Sequence, residues 1–148
     1  MENQEETTQK SPAKDQAALR KERITPEKLN NLHSNEIFVF SSNLQGRHDS
    51  GDARIAFQRY GAEIGQCFGP QGRSYAIPTM QDDPIVIKPY AEEFIIYAKQ
   101  HPEQNFLVTK IGCNDGCAPK DVAPLFRSAE KTQNIFLPQE FWDVLKKR

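Results

Sequence analysis

The residues best suited to chemistry lie in Ser42-Asn43-Leu44-Gln45-Gly46-Arg47-His48-Asp49-Ser50-Gly51. An apolar run over residues 37–40 stops at small polar side chains, passes through a glycine-bounded loop and enters an amphipathic helix. In α/β proteins this order brings backbone N–H groups up to a phosphate. On that reading the N–H groups of residues 46–51 hold a diphosphate, and Arg47 or His48 adds a charged or hydrogen-bonding contact. The same residues also describe a long strand–helix connection whose Asp49 or Ser50 caps the helix. Asp49 and Asp52 work against an anion, because carboxylates near a helix N-terminus already satisfy its dipole.

A second stretch of the same kind is Ile111-Gly112-Cys113-Asn114-Asp115-Gly116-Cys117, a strand end with two glycines that suit close approach by a ligand. Asn43, just past a buried strand, can hydrogen-bond a sugar hydroxyl or simply form a turn through its own backbone. Thr79, after Tyr75-Ala76-Ile77-Pro78, falls at a strand end that faces the same edge or merely terminates there. No metal is expected. Cys113 and Cys117 lack a second ligand pair, and His33, His48 and His101 fall on unrelated elements. A Cys113 nucleophile would need a base within reach, and none is indicated, so Cys67 and Cys113 read as buried inert thiols.

The elements that must position these residues alternate between strand and helix. Strands are expected over 36–40, 74–78, 106–111 and 134–137. Helices are expected from Thr25-Pro26 to about Leu32, from Gly51 to Tyr60, and from Pro89 to Gln100. Two more are expected from Asp121 to Ala129 and at the C-terminus. Gly61 is a natural C-terminal stop, and Pro124 forces the helix around it to start there or be irregular. Phe141 and Trp142 on the last helix are expected to pack on the sheet, or to offer a stacking face. The near-continuous apolar strands argue for an α/β fold with a mostly parallel sheet covered by helices on two faces. Right-handed crossovers then gather the strand C-termini on one edge, where ligands of open α/β sheets bind.

Composition bounds the rest. The chain has 148 residues and a net charge of −1, one domain by length. Residues 1–23 contain no aromatic, Val or Ile, and Glu2, Glu5, Glu6, Asp15 and Glu22 offset Lys10, Lys14, Arg20, Lys21 and Arg23. They read as a flexible, solvated, charged tail, leaving 24–148 as the folded domain. The absence of a basic surplus argues against nucleic acid as a partner. No apolar run is long enough for a membrane span, and the N-terminus is not a signal peptide. Three cysteines without a secretory signal fit a reducing cytoplasm.

Residues 37–43, Gly46-Arg47-His48, Tyr60-Gly61-Ala62, Gly65-Gln66, Gln71-Gly72-Arg73-Ser74-Tyr75-Ala76-Ile77-Pro78-Thr79, residues 106–113 and Val122-Ala123-Pro124-Leu125-Phe126 together resemble a bacterial and phage family of small macrodomain-like proteins. The resemblance runs from about Ile24 to Trp142. It implies a three-layer α/β/α macrodomain-like fold and ADP-ribose or a related nucleotide as ligand, without a cofactor. It further implies Ser42, Asn43, Gly46, Arg47, His48, Gly51, Thr79, Gly112, Cys113, Asn114 and Gly116 as ligand-binding positions. Asn43 and residues 46–51 match the positions that take the distal ribose and diphosphate in macrodomains, and residues 112–116 match a loop that closes over the phosphates. The chain departs from the family at Ser41, Asp49, Ser50 and Asp52, where glycine or small residues are usual, and at Asn114-Asp115-Gly116-Cys117. An ADP-ribosyl hydrolase or phosphohydrolase is a second expectation, with Asn43 orienting the ribose and Asp49 or Asp52 holding the attacking water. A third is a partner-binding domain whose ligand site has decayed.

Overall fold

The computed structural model describes residues 15–29, 31–48, 51–79, 83–112 and 117–147. Its centre is strand β1 (Glu36–Ser42), whose residues alternate between two buried faces. Phe38 and Phe40 point to a small core shared with Ala53, Ala56, Tyr60 and Ala76. Ile37 and Val39 point to the larger core on the other side. Both faces are covered, so the strand reads as one apolar run instead of an alternating one.

Helix α1 is Gln16–Lys21 and α2 is Gly51–Arg59. Strand β2 (Gly69–Gln71) turns back into β3 (Ser74–Pro78), then a 3-10 turn (Pro84–Ile87) leads into α3 (Lys88–Gln100). Strand β4 (Asn105–Val108), helix α4 (Pro119–Val122), a 3-10 helix (Ala123–Lys131), β5 (Ile135–Phe136) and α5 (Gln139–Lys146) follow. The five strands form one sheet in the order β2-β3-β1-β4-β5. All neighbouring pairs are parallel except β2 with β3. The fold is therefore α/β with a mostly parallel sheet, as the apolar strands imply.

Helices α2, α3 and α5 each pack through a short apolar stripe. Ala53 and Ala56 of α2 let it sit close on Phe38 and Phe40. Ala91, Phe94, Ile95 and Ala98 of α3 bury against the opposite face, as do Phe141, Trp142 and Leu145 of α5. Burying a phenylalanine such as Phe94 or Phe106 is worth about 1.5–3 kcal/mol. Pro124 removes a backbone donor, and the segment around it is 3-10. Its buried Ala123, Phe126 and Ala129 recur every three residues, the period of that helix.

One local reading is corrected. No helix forms over residues 25–32 among the described residues. Ile24 instead bridges Leu137 in parallel, and Thr25 N–H donates to Leu137 O at 2.9 Å, so the sheet edge takes the backbone groups a helix would use. The connection over residues 65–72 contains β2, closed on β3 by a two-residue turn in which Gly72 has φ +60°.

Residues 15–23 are tied into the domain. The Arg20 guanidinium grips Glu36 at 2.6 and 2.9 Å, and Leu19 packs on the larger core. Arg23 donates to the carbonyls of Ala129, Thr132 and Ile135 at 2.6–3.1 Å and lies over the Trp142 ring, whose Nε1–H donates to Arg23 O at 2.8 Å. A guanidinium offers five donors, enough to satisfy the carbonyl cluster at the end of the 3-10 helix. This contact also holds Arg23 at φ +58°, the one non-glycine with positive φ among the described residues.

Candidate functional site

Parallel pairing puts the C-terminal ends of β1, β3, β4 and β5 on one edge, and backbone bonds stitch the segments leaving it. Thr79 N–H donates to Ser42 O at 3.0 Å, and Thr109 N–H to Val39 O at 3.1 Å. Gly112 N–H donates to Ser41 Oγ at 3.1 Å, so the loop after β4 starts against the end of β1. Gly112 has φ +77°, and an added Cβ would meet only side chains at 3.4 Å or more. Its backbone conformation, more than its space, calls for glycine.

The loop after β1 is built tightly. Asn43 Oδ1 accepts from Arg47 N–H at 3.0 Å, while Asn43 Nδ2 donates to Arg47 O at 3.1 Å. Both ends of the amide thus close the loop on itself. Gly46, with φ +69°, lies against the backbone of Gly65, whose carbonyl carbon would stand 2.5 Å from an added Cβ. Ser42 Oγ donates to Cys67 O. Arg47 is exposed, whereas His48 is 2% exposed and edge-on to Phe40 at 5.4 Å between ring centroids. Neither ring nitrogen of His48 has a hydrogen-bond partner among the described residues. Gly51 opens α2 at φ +58° in open space.

The edge therefore brings Ser42, Asn43, Thr79 and Gly112 together, with Gly46 and Arg47 in the loop beside them. His48 turns inward onto Phe40. Asp49, Cys113, Asn114 and Gly116 lie outside the described residues.

Beside this edge, on the α2 face, opens a cleft of about 890 Å³. Its walls are residues 24–29, the start of α2, and the segments that leave β4 and β5. Of the described site residues named from the sequence, Asp52 alone lines it. Burial pushes the Asp52 carboxyl above its usual range, and a hydrogen bond with the Thr109 side chain pulls the other way. The Thr109 hydroxyl proton is committed to Val39 O at 2.8 Å, so Asp52 gains less from that neighbour than a free donor would give. Burial is the larger influence.

Lys110 bridges Glu27 and Glu140, each at 2.9 Å, and tethers residues 24–29 to α5. The hydrogen bonds it donates to both carboxylates hold its ammonium above the usual lysine range. Thr109 and Lys110 were missed from the sequence because they continue an apolar run read as strand to residue 111. The strand ends at Val108, and their polarity was the available signal. Glu27 and Glu140 carried no signal at all, since their common partner is set by tertiary packing. Among the described residues no group of three or more His, Cys, Asp or Glu could hold a metal ion. No helix among them is long and apolar enough to cross a membrane.

Fold and site together define an α/β protein with a mostly parallel five-stranded sheet, glycine-bearing loops at one strand edge and a cleft beside them. No family model, curated protein or solved structure compared with the chain matches it.

Proposed function

We propose that the chain is a macrodomain-like three-layer α/β/α protein that binds ADP-ribose or a related nucleotide at the C-terminal edge of its sheet. The observation that carries this reading is the Gly112 N–H to Ser41 Oγ bond, which sets the start of one glycine loop against the strand that feeds the other. Backbone N–H groups of such loops suit a diphosphate. The adjoining cleft is within the roughly 300–1,000 Å³ usual for small-molecule sites. With both ends of its amide bonded to Arg47, Asn43 serves the ligand by shaping the loop. Calorimetry with ADP-ribose tests the reading: heat of binding is expected for the wild type, and affinity reduced by about tenfold or more for Asn43→Ala. Folded protein giving no heat at millimolar ADP-ribose overturns it.

One observation favours a hydrolase acting in the same place. Asp52 is a partly buried carboxyl in the cleft whose environment favours the protonated form, the setting of a general acid or base. Incubation with ADP-ribosylated protein and with ADP-ribose 1″-phosphate checks this. Turnover lost in Asp52→Asn supports it, and binding without turnover rejects it.

A further inference from the structure

Among the described residues, the cleft beside the glycine loops carries more acids than bases. Its lining acids are Glu27, Asp52, Glu140 and Asp143, against the bases Lys28, Arg59 and Lys110. Lys110 is engaged by Glu27 and Glu140, and the Arg59 guanidinium lies 5.4 Å from the Tyr60 ring centre. Asp52 is different. Among the described residues its environment contributes burial and one hydroxyl, with no cation acting on it. That hydroxyl, on Thr109, already gives its proton to Val39 O.

A carboxylate taken partly out of water without a counter-ion is costly, and a donor cation brought to it removes the cost. Around it the walls are apolar: Ile24, Leu29, Phe38 and Ile55. Thr25, 6% exposed, also lines the cleft, and its Oγ1 has no hydrogen-bond partner among the described residues. A buried hydroxyl in that state is a second vacancy for a polar ligand group. Apolar walls with a few convergent polar groups are the usual make-up of a small-molecule site.

We propose that this cleft binds a small organic cation, a flat apolar body carrying an amidinium, guanidinium or protonated amine that pairs with Asp52. The proposal shares the cleft with the nucleotide reading and Asp52 with the hydrolase reading, but such a ligand needs neither phosphate nor ribose. The planar head lies between Ile55 of α2 and the segment over residues 24–29, with its N–H groups toward the Asp52 carboxylate. The Lys110 bridge holds that segment in place as the outer wall.

The test uses the full chain and three probes of one shape: benzamidine, its neutral relative benzamide, and the anion benzoate. Binding is followed by backbone amide NMR shifts. Benzamidine is expected to shift the amides of Asp52, Ile55, Thr109 and Lys110, and to bind about tenfold or more tighter than the other two. Asp52→Asn is expected to remove that preference, whereas Asp143→Asn, at an exposed position of the same cleft, keeps it. The amide spectrum of each variant reports whether it is folded. Equal affinity for the three probes, a preference that survives in folded Asp52→Asn, or no shifts at the cleft overturns the proposal. Loss of ADP-ribose binding in Asn43→Ala with benzamidine binding intact keeps the two readings separable.

Discussion

The sharpest quantitative test lies in the pair that anchors the N-terminal segment. The Glu36 side chain is 2% exposed and that of Arg20 13%. Arg20 donates to both carboxylate oxygens, and His33 N–H adds a third bond at 2.8 Å. Burial acts to raise the Glu36 carboxyl, but the Arg20 and His33 contacts together outweigh it and hold it below the usual range. Arg20→Ala removes the main compensation and leaves a buried carboxylate. Breaking such a pair costs about 3–5 kcal/mol, and the surviving His33 N–H sets the expectation near about 3 kcal/mol. With a urea slope of roughly 1–3 kcal/mol per molar, the unfolding midpoint falls by about 1–3 M.

The pH dependence has opposite signs in the two proteins. In the wild type the lowered carboxyl adds stability above the ordinary carboxylate range, which is lost as pH falls through its folded-state value. In Arg20→Ala burial dominates and raises the carboxyl, so acidification through the carboxylate range restores part of the lost stability. Glu36→Gln placed on Arg20→Ala is expected to recover much of the deficit at neutral pH. Urea unfolding at pH 7 and in mild acid reads all three. A loss under about 0.5 kcal/mol with an unchanged slope would refute the argument, because that is the effect of an undocked surface residue.

Three further outcomes follow from local geometry. Gly46→Ala meets the Gly65 backbone at 2.5 Å with φ +69°, whereas Gly51→Ala meets nothing at φ +58°. Denaturant unfolding should show Gly51→Ala losing about 1–2 kcal/mol and Gly46→Ala at least about 1 kcal/mol more. Asp52→Asn should stabilise the free protein at neutral pH. The raised carboxyl favours folding below the unfolded-state value and that contribution is lost as pH rises through the folded-state one, so thermal midpoints of the variant and wild type should converge on acidification. Arg23→Lys replaces a fork that reaches three or more carbonyls with a single ammonium. A loss of about 1.5–3 kcal/mol is expected by urea unfolding.

Much of the architecture is legible because it rests on short-range pattern. Residues 37–40 and 74–78 are apolar runs bounded by turn residues, and both are strands. Helices α2 and α3 follow their stripes within a residue or two, and Pro124 announces an irregular helix. Thr25-Pro26 misleads for a physical reason. It has the chemistry of a helix start, yet the unpaired edge of β5 offers Thr25 N–H a carbonyl first. Asp52 is legible as a chemically active type near a helix start, while the cleft that makes it interesting is not.

The sequence by itself determined the parallel α/β plan, because apolar runs and glycine punctuation act over a few residues. It also determined that glycine-bearing segments leave β1 and β4 at one edge. Only the tertiary structure decided that residues 15–23 belong to the domain, since Arg20 and Arg23 look like solvated charges until Glu36 and the carbonyls of residues 129–135 stand opposite them. It decided too that His48 turns inward while Asp52 lines a cleft. The difference is one of range: a strand or helix is written in neighbours, but the worth of a charge depends on what packing brings beside it.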